Sequence, residues 1–165
     1  MSSGEAYSEA FGADVVLEDL RASTLNQVMD AALDALAEAR AIPMGGLPAL
    51  RKALRAREAA GATAVGNGVA MPHARVVAVR RLVLAVIRVK TPGLPPAPDG
   101  IPIRIVFCFL SPLSAGGHDH LILLQRISRA AQNTDWIHGA LSAEGPGAFS
   151  RHLKTGGGRR PSSGG

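Results

Sequence analysis

Apolar positions recur along this chain with two different spacings. Leu25, Met29, Ala32 and Leu36 fall three or four apart, while Gln27, Asp30, Asp34 and Glu38 take the opposite side, which is the pattern of an amphipathic helix. Thr24 with Gln27 three residues on reads as a capping box, so a helix is predicted from near Leu25 to about Arg40. A second is predicted from Pro48, with Leu50, Ala53, Leu54 and Arg57 on related faces and Gly61 as its stop. Asp119 is a candidate N-cap for a third, from His120 to about Gln132, with Leu121, Leu124, Ile127 or Ser128, and Ala131 facing inward. Asn133-Thr134 starts a fourth through Trp136, Ile137 and Leu141, and Gly145-Pro146-Gly147 breaks the pattern beyond it.

Between the helical patterns lie runs of another kind. Leu82 to Val89 (LVLAVIRV) and Ile101 to Leu110 (IPIRIVFCFL) are almost continuously apolar, as in strands covered on both faces. Asp14 to Leu20 reads as a shorter strand or extended segment. Thr91 to Gly100 carries Pro92, Pro95, Pro96 and Pro98 and ends in Asp99-Gly100, so it is a connection containing a turn, and Ser111 to Gly117 is a loop. Buried strands among amphipathic helices make a layered α/β sandwich. A domain is expected over 14–154, between a flexible N-terminus (1–13) and a basic, Gly/Ser-rich tail (155–165).

Composition narrows the function classes. At 165 residues the chain suits a single domain. With one cysteine, Cys108, it has no internal disulfide, which fits a reducing cytoplasm. No apolar stretch nears the roughly 20 residues that span a bilayer, and the acidic first residues do not resemble a secretory signal. The reading is of a cytoplasmic chain without membrane insertion. Much of the formal charge of +5 comes from Arg51, Lys52, Arg55 and Arg57 on one helix, Arg80-Arg81, and Arg159-Arg160 in the tail. No aromatic residues are interleaved with them to stack on bases, so a nucleic-acid partner is not expected and a basic rim for phosphate or an acidic protein explains the charge equally well.

The chemistry concentrates in Gly66 to Arg75, GNGVAMPHAR. Asn67-Gly68 favours a tight reversal. Pro72 fixes its own φ and keeps Met71 out of the helical region, so His73 is delivered on extended backbone. A histidine so held can act as nucleophile, acid, base or metal ligand. The motifs of other chemistries are missing: His73, His118 and His120 have no cysteine or carboxylate set around them, no Gly-rich loop leads into Lys-Ser or Lys-Thr, and no serine sits in a nucleophile elbow.

Arg57-Glu58, Gly66-Asn67-Gly68 and Ala70-Met71-Pro72-His73, in that order and spacing, resemble the signature of the type-2 enzyme IIA domains of the bacterial phosphotransferase system, which comprise the fructose, mannitol and nitrogen-regulatory IIA proteins. The resemblance extends over about Val15 to Leu153. It implies a mixed central β-sheet flanked by helices, with His73 as phosphoryl acceptor, Arg57 as phosphate clamp, and His120, before Leu121 at a helix start, as a phosphate-stabilising neighbour. His118 is read as a solvated loop residue. The amides around Gly66 to Gly68 are candidates for further donors. The resemblance further implies a histidine phosphocarrier protein as donor, a IIB component or regulatory target as recipient, and no metal or other cofactor. The standalone length favours the nitrogen-regulatory kind over sugar transport. Ala64 in place of the usual Gly, Met71 in place of Ile or Leu, and the Gly-Pro-Gly break depart from the family pattern. They keep a second reading open: a binding module of the same fold that transfers no phosphate and works through protein contacts.

Overall fold

The computed structural model describes residues 11–156. Most of the tail and most of the N-terminal segment expected to be flexible lie outside the described residues. Within them the chain runs β1 (Val15–Leu20), α1 (Leu25–Glu38), a 3-10 turn (Met44–Gly46), α2 (Leu47–Ala60), β2 (Ala64–Gly66), β3 (Val69–Ala70), β4 (His73–Val76), β5 (Val83–Val89), β6 (Leu94–Pro96), β7 (Pro102–Ile103), β8 (Ile105–Pro112), α3 (His118–Gln132), α4 (Thr134–Ser142) and α5 (Ala148–Leu153). The strand order is β1-β5-β8-β3-β2, with β4 also on β8, and a separate β6-β7 hairpin. The sheet is mixed: β5 pairs antiparallel with β8 but parallel with β1, and β3 and β4 run parallel to β8.

Period-two alternation on the central strands separates two cores. Ala85, Ile87 and Val89 of β5 with Val106, Cys108 and Leu110 of β8 meet Met29, Leu33, Leu36, Leu50 and Leu54 of α1 and α2. Leu84 and Val86 with Ile105, Phe107 and Phe109 meet Leu123, Ile127, Trp136, Ile137 and Phe149 on the helices of the other face. Phe11 joins this second core, its ring 5.0 Å from that of Phe107. The predicted capping box is present: Thr24 Oγ1 accepts from the Gln27 amide at 3.2 Å, and Gln27 Oε1 accepts from the Thr24 amide at 3.3 Å.

Several expectations are corrected. Arg104 divides the predicted strand 101–110: its amide donates to Gly68 O (2.9 Å) and its Nε to Val89 O (2.7 Å). The residues before it form a hairpin with the Pro-rich connection, and β8 continues into the predicted loop as far as Pro112. Helix α3 begins at His118 after Gly117, whose φ of +83° only glycine adopts freely, so Asp119 lies inside the first turn and is not its cap. Leu121 is 60 % exposed, and the buried stripe is Leu123, Ile127, Ala130 and Ala131. Four consecutive apolar residues, Leu121 to Leu124, leave the helix phase open in sequence, and packing on Phe107 and Phe109 selects it. Beyond Gly147, α5 forms because Glu18 of β1 accepts from the Gly147 and Ser150 amides, each at 3.1 Å, capping the helix from across the fold. Burial opposes charge on Glu18, yet those amides and the Arg88 charge hold its carboxyl below the usual value.

Candidate functional site

Pro72 interrupts what would otherwise be one strand alongside β8. β3 pairs with Ile105 and Val106, β4 resumes at His73 opposite Phe109, and between them Phe109 N donates to Pro72 O at 3.1 Å. The break turns the Met71 carbonyl toward the His73 ring, where it lies 2.7 Å from Nδ1. A carbonyl only accepts, so this contact puts the ring proton on Nδ1 and leaves the lone pair on Nε2. Because His73 and Phe109 are cross-strand partners, their rings stack at 4.8 Å with an interplanar angle of 7°.

His120 closes the site from the first turn of α3. Its ring lies edge-on, 5.2 Å from that of His73 and 5.3 Å from that of Phe109, and its Nδ1 is 2.6 Å from Ser111 Oγ. Arg75, two residues beyond His73, bonds the carbonyls of Ala115 (2.8 Å) and Pro112 (3.5 Å) and so ties down the loop leading to this helix. A cleft of about 210 Å³ is lined by His120 together with Arg80, Arg81, Ser111, His118 and Asp119 among others. His118 is exposed there.

Arg57 stands in the last turn of α2, its Nη1 donating to Gly61 O at 3.0 Å. Glu58 accepts from the Thr63 hydroxyl at 2.7 Å and its amide at 3.1 Å, which fixes the loop between α2 and β2. Both charges are felt at His73. Burial and, secondarily, Arg57 lower its affinity for a proton, against opposing contributions from the Met71 carbonyl and Glu58. His120 is lowered as well, by burial first and then by His73 and Arg75. The folded chain therefore resists protonation at two histidines that the unfolded chain protonates near the ordinary 6.5. Between the lowered values and 6.5 the unfolded state binds more protons, so stability rises with pH there and is lost on acidification from 6.5 downward. Urea unfolding at about pH 7.5 and 5.5 checks this: the midpoint is expected to fall, and to fall less in a His73→Gln/His120→Gln double variant. An equal fall in both would assign the pH dependence to other groups.

The three residues singled out from sequence thus gather at one end of the sheet, His73 and His120 in ring contact and Arg57 within electrostatic reach. The Gly66–Gly68 turn does not join them. The Asn67 amide is taken by Asp99 Oδ2 (2.9 Å) and its side-chain amide by Ala131 O (2.7 Å), while Gly68 O accepts from Ile105 N. Ile105 is four residues along β8 from Phe109, roughly 13 Å, so this turn is a structural device. At Gly68, φ is +78° and a Cβ would meet Pro102 O at 2.8 Å, which explains the glycine. Sequence reasoning passed over Phe109, Ser111 and Arg75. Period two puts Arg75 on the His73 face and Ser111 on the Phe109 face, but the register that pairs Arg75 with Ser111 is a tertiary fact.

Comparison with known proteins gives the family of the chain. A family model described as "Phosphoenolpyruvate-dependent sugar phosphotransferase system, EIIA 2" matches residues 9–155. A nitrogen regulatory protein of Pseudomonas aeruginosa is 34% identical over 97 residues, 59% of this chain and 62% of that protein. A fructose-specific EIIA component of Haloferax volcanii is 35% identical over 116 residues, 70% of this chain and 62% of that protein. The chain therefore spans about three fifths of the length of the curated relatives it matches. Among solved structures, nitrogen regulatory protein IIA-Ntr of Neisseria meningitidis superposes with a TM-score of 0.72 at 26% identity, covering 91% of this chain and 99% of that one.

Proposed function

Because the chain belongs to the type-2 enzyme IIA family of the phosphoenolpyruvate-dependent sugar phosphotransferase system, we propose that it is a phosphoryl carrier, accepting phosphate on His73 Nε2 from a histidine phosphocarrier protein. The observation that carries this reading is the 2.7 Å contact of His73 Nδ1 with Met71 O, which leaves Nε2 as the nucleophilic nitrogen of a ring held neutral by its surroundings. In the transfer, the Nε2 lone pair forms the new bond to phosphorus as the donor's nitrogen–phosphorus bond breaks, and that electron pair returns to the donor imidazole. The proton on His73 Nδ1 stays in place, and the Met71 carbonyl stabilises the positive charge the ring acquires.

The remaining groups have electrostatic tasks, since phosphoryl transfer leaves the protein mainly positioning and charge stabilisation to supply. His120 donates a hydrogen bond to a phosphoryl oxygen. Arg57 exchanges its bond to Gly61 O for the phosphate, where a guanidinium makes a stronger, charge-assisted contact. Glu58, fixed by Thr63, keeps that end of α2 in place. The phosphoryl group then passes to a IIB component, or its presence is read by a target protein in the cytoplasm. Likeness to nitrogen regulatory proteins in both sequence and structure supports the regulatory role. Among the described residues no helix is long and apolar enough to cross a membrane.

The test is intact-mass analysis after incubation with phosphoenolpyruvate, enzyme I and the histidine phosphocarrier protein. Uptake of one acid-labile phosphoryl group is expected. A folded protein that takes up none from several such carriers would overturn the carrier reading in favour of a binding module acting through protein contacts.

A further inference from the structure

Ser111 is 3% exposed, and its hydroxyl meets His120 Nδ1 at 2.6 Å. It follows Phe109 by two on β8 and stands in register with Arg75 on β4, so strand pairing sets its place. Either partner can donate in this contact, because a hydroxyl both donates and accepts and the imidazole proton can sit on either nitrogen. The second nitrogen decides between them. With the proton on Nδ1, His120 would turn a lone pair toward a phosphoryl group on His73 and repel its oxygens. With the hydroxyl donating to Nδ1, His120 Nε2 carries the proton and becomes a donor.

We propose that Ser111 is a positioning residue for phosphoryl transfer: its hydroxyl donates to His120 Nδ1 and so holds the Nε2–H tautomer that meets a phosphoryl group on His73. The two neighbouring histidines are thereby set in opposite tautomers, His73 by a backbone carbonyl that can only accept and His120 by a hydroxyl that can donate. One ring offers a lone pair at Nε2 and the other a proton at Nε2, the complementary pair that accepting and then holding a phosphoryl group requires. This assignment rests on the phosphocarrier reading above.

The experiment compares wild type, Ser111→Ala and Ser111→Thr, all shown folded by their urea unfolding midpoints. Long-range proton–nitrogen NMR spectra read the His120 tautomer, and timed intact-mass analysis reads phosphoryl uptake. His120 is expected as Nε2–H in wild type and as a tautomer mixture in Ser111→Ala. Uptake by the alanine variant should slow roughly tenfold, less than the ~10²–10³ lost when a transition-state donor is removed outright, and the threonine hydroxyl should restore both readouts. A proton on Nδ1 in wild type, unchanged tautomer and rate in Ser111→Ala, or a loss that Ser111→Thr does not restore would each overturn the assignment. Absence of uptake from wild type would instead overturn the carrier reading, and the transfer role of Ser111 with it, whereas normal uptake by wild type and Ser111→Ala alike would remove Ser111 alone.

Discussion

A His73→Ala protein is expected to take up no phosphoryl group under conditions that label the wild type fully, a loss of at least ~10³-fold in rate. Removing the ring removes the nitrogen proposed to form the covalent bond, and the neighbours offer no equivalent. His120 has its Nδ1 engaged by Ser111, and Cys108 is completely buried with its thiol pushed up to about 12 by that burial, which makes it inert. His120→Ala should behave differently. It keeps the nucleophile and loses a donor, so labelling should still reach completion but roughly 10²-fold more slowly. Timed intact-mass analysis separates the two, and a stably labelled His73→Ala protein would sink the nucleophile assignment. His73 is half-buried and its ring stacks on Phe109, so urea unfolding midpoints are compared first to establish that each variant is folded.

The second large effect is on stability. Arg88 of β5 is 5% exposed, with Nε 3.1 Å from Asp19 and Nη1 donating at 2.8 Å to both Ala140 O and Ala143 O, while its guanidinium lies 4.9 Å from the Phe149 ring centroid. One side chain thus joins the sheet to the end of α4 and to α5. Arg88→Met, which keeps much of the volume, leaves those carbonyls without their donor and should destabilise the fold by about 2–4 kcal/mol. Part of the loss is offset because the partner Asp19 is largely exposed and can return to water. Urea unfolding measures the effect, and a change below about 0.5 kcal/mol would place Arg88 among ordinary surface substitutions.

Arg88 also marks the limit of pattern reading. In sequence it looks like a polar interruption of LVLAVIRV, a run whose continuous apolar character does correspond to a strand covered on both faces. That the charge would be satisfied by carbonyls more than fifty residues away has no local signature. The same holds for α5, which comes after a Gly-Pro-Gly break and is capped by Glu18 of the first strand. The phase of α3 is ambiguous in sequence for a related reason: consecutive apolar residues satisfy more than one helical face until a neighbouring sheet selects one.

Elements whose causes are local could be read from the chain alone. A capping box, a proline in a first turn, helical and continuous apolar spacing, and an Asn-Gly reversal depend on residues a few positions apart, and they specified the layered α/β sandwich. The ordered set Arg57-Glu58, Gly66-Asn67-Gly68 and Ala70-Met71-Pro72-His73 also sufficed to indicate the family. The chemistry within the site, by contrast, depends on contacts that form on folding. Strand register brought Phe109 under His73 and Ser111 beside Arg75, the Pro72 break aimed a carbonyl at one ring nitrogen, and the packing of α3 on the sheet brought His120 against both rings. A histidine's tautomer and proton affinity are set by whichever atoms surround it, and those atoms are supplied by segments that meet only when the chain folds.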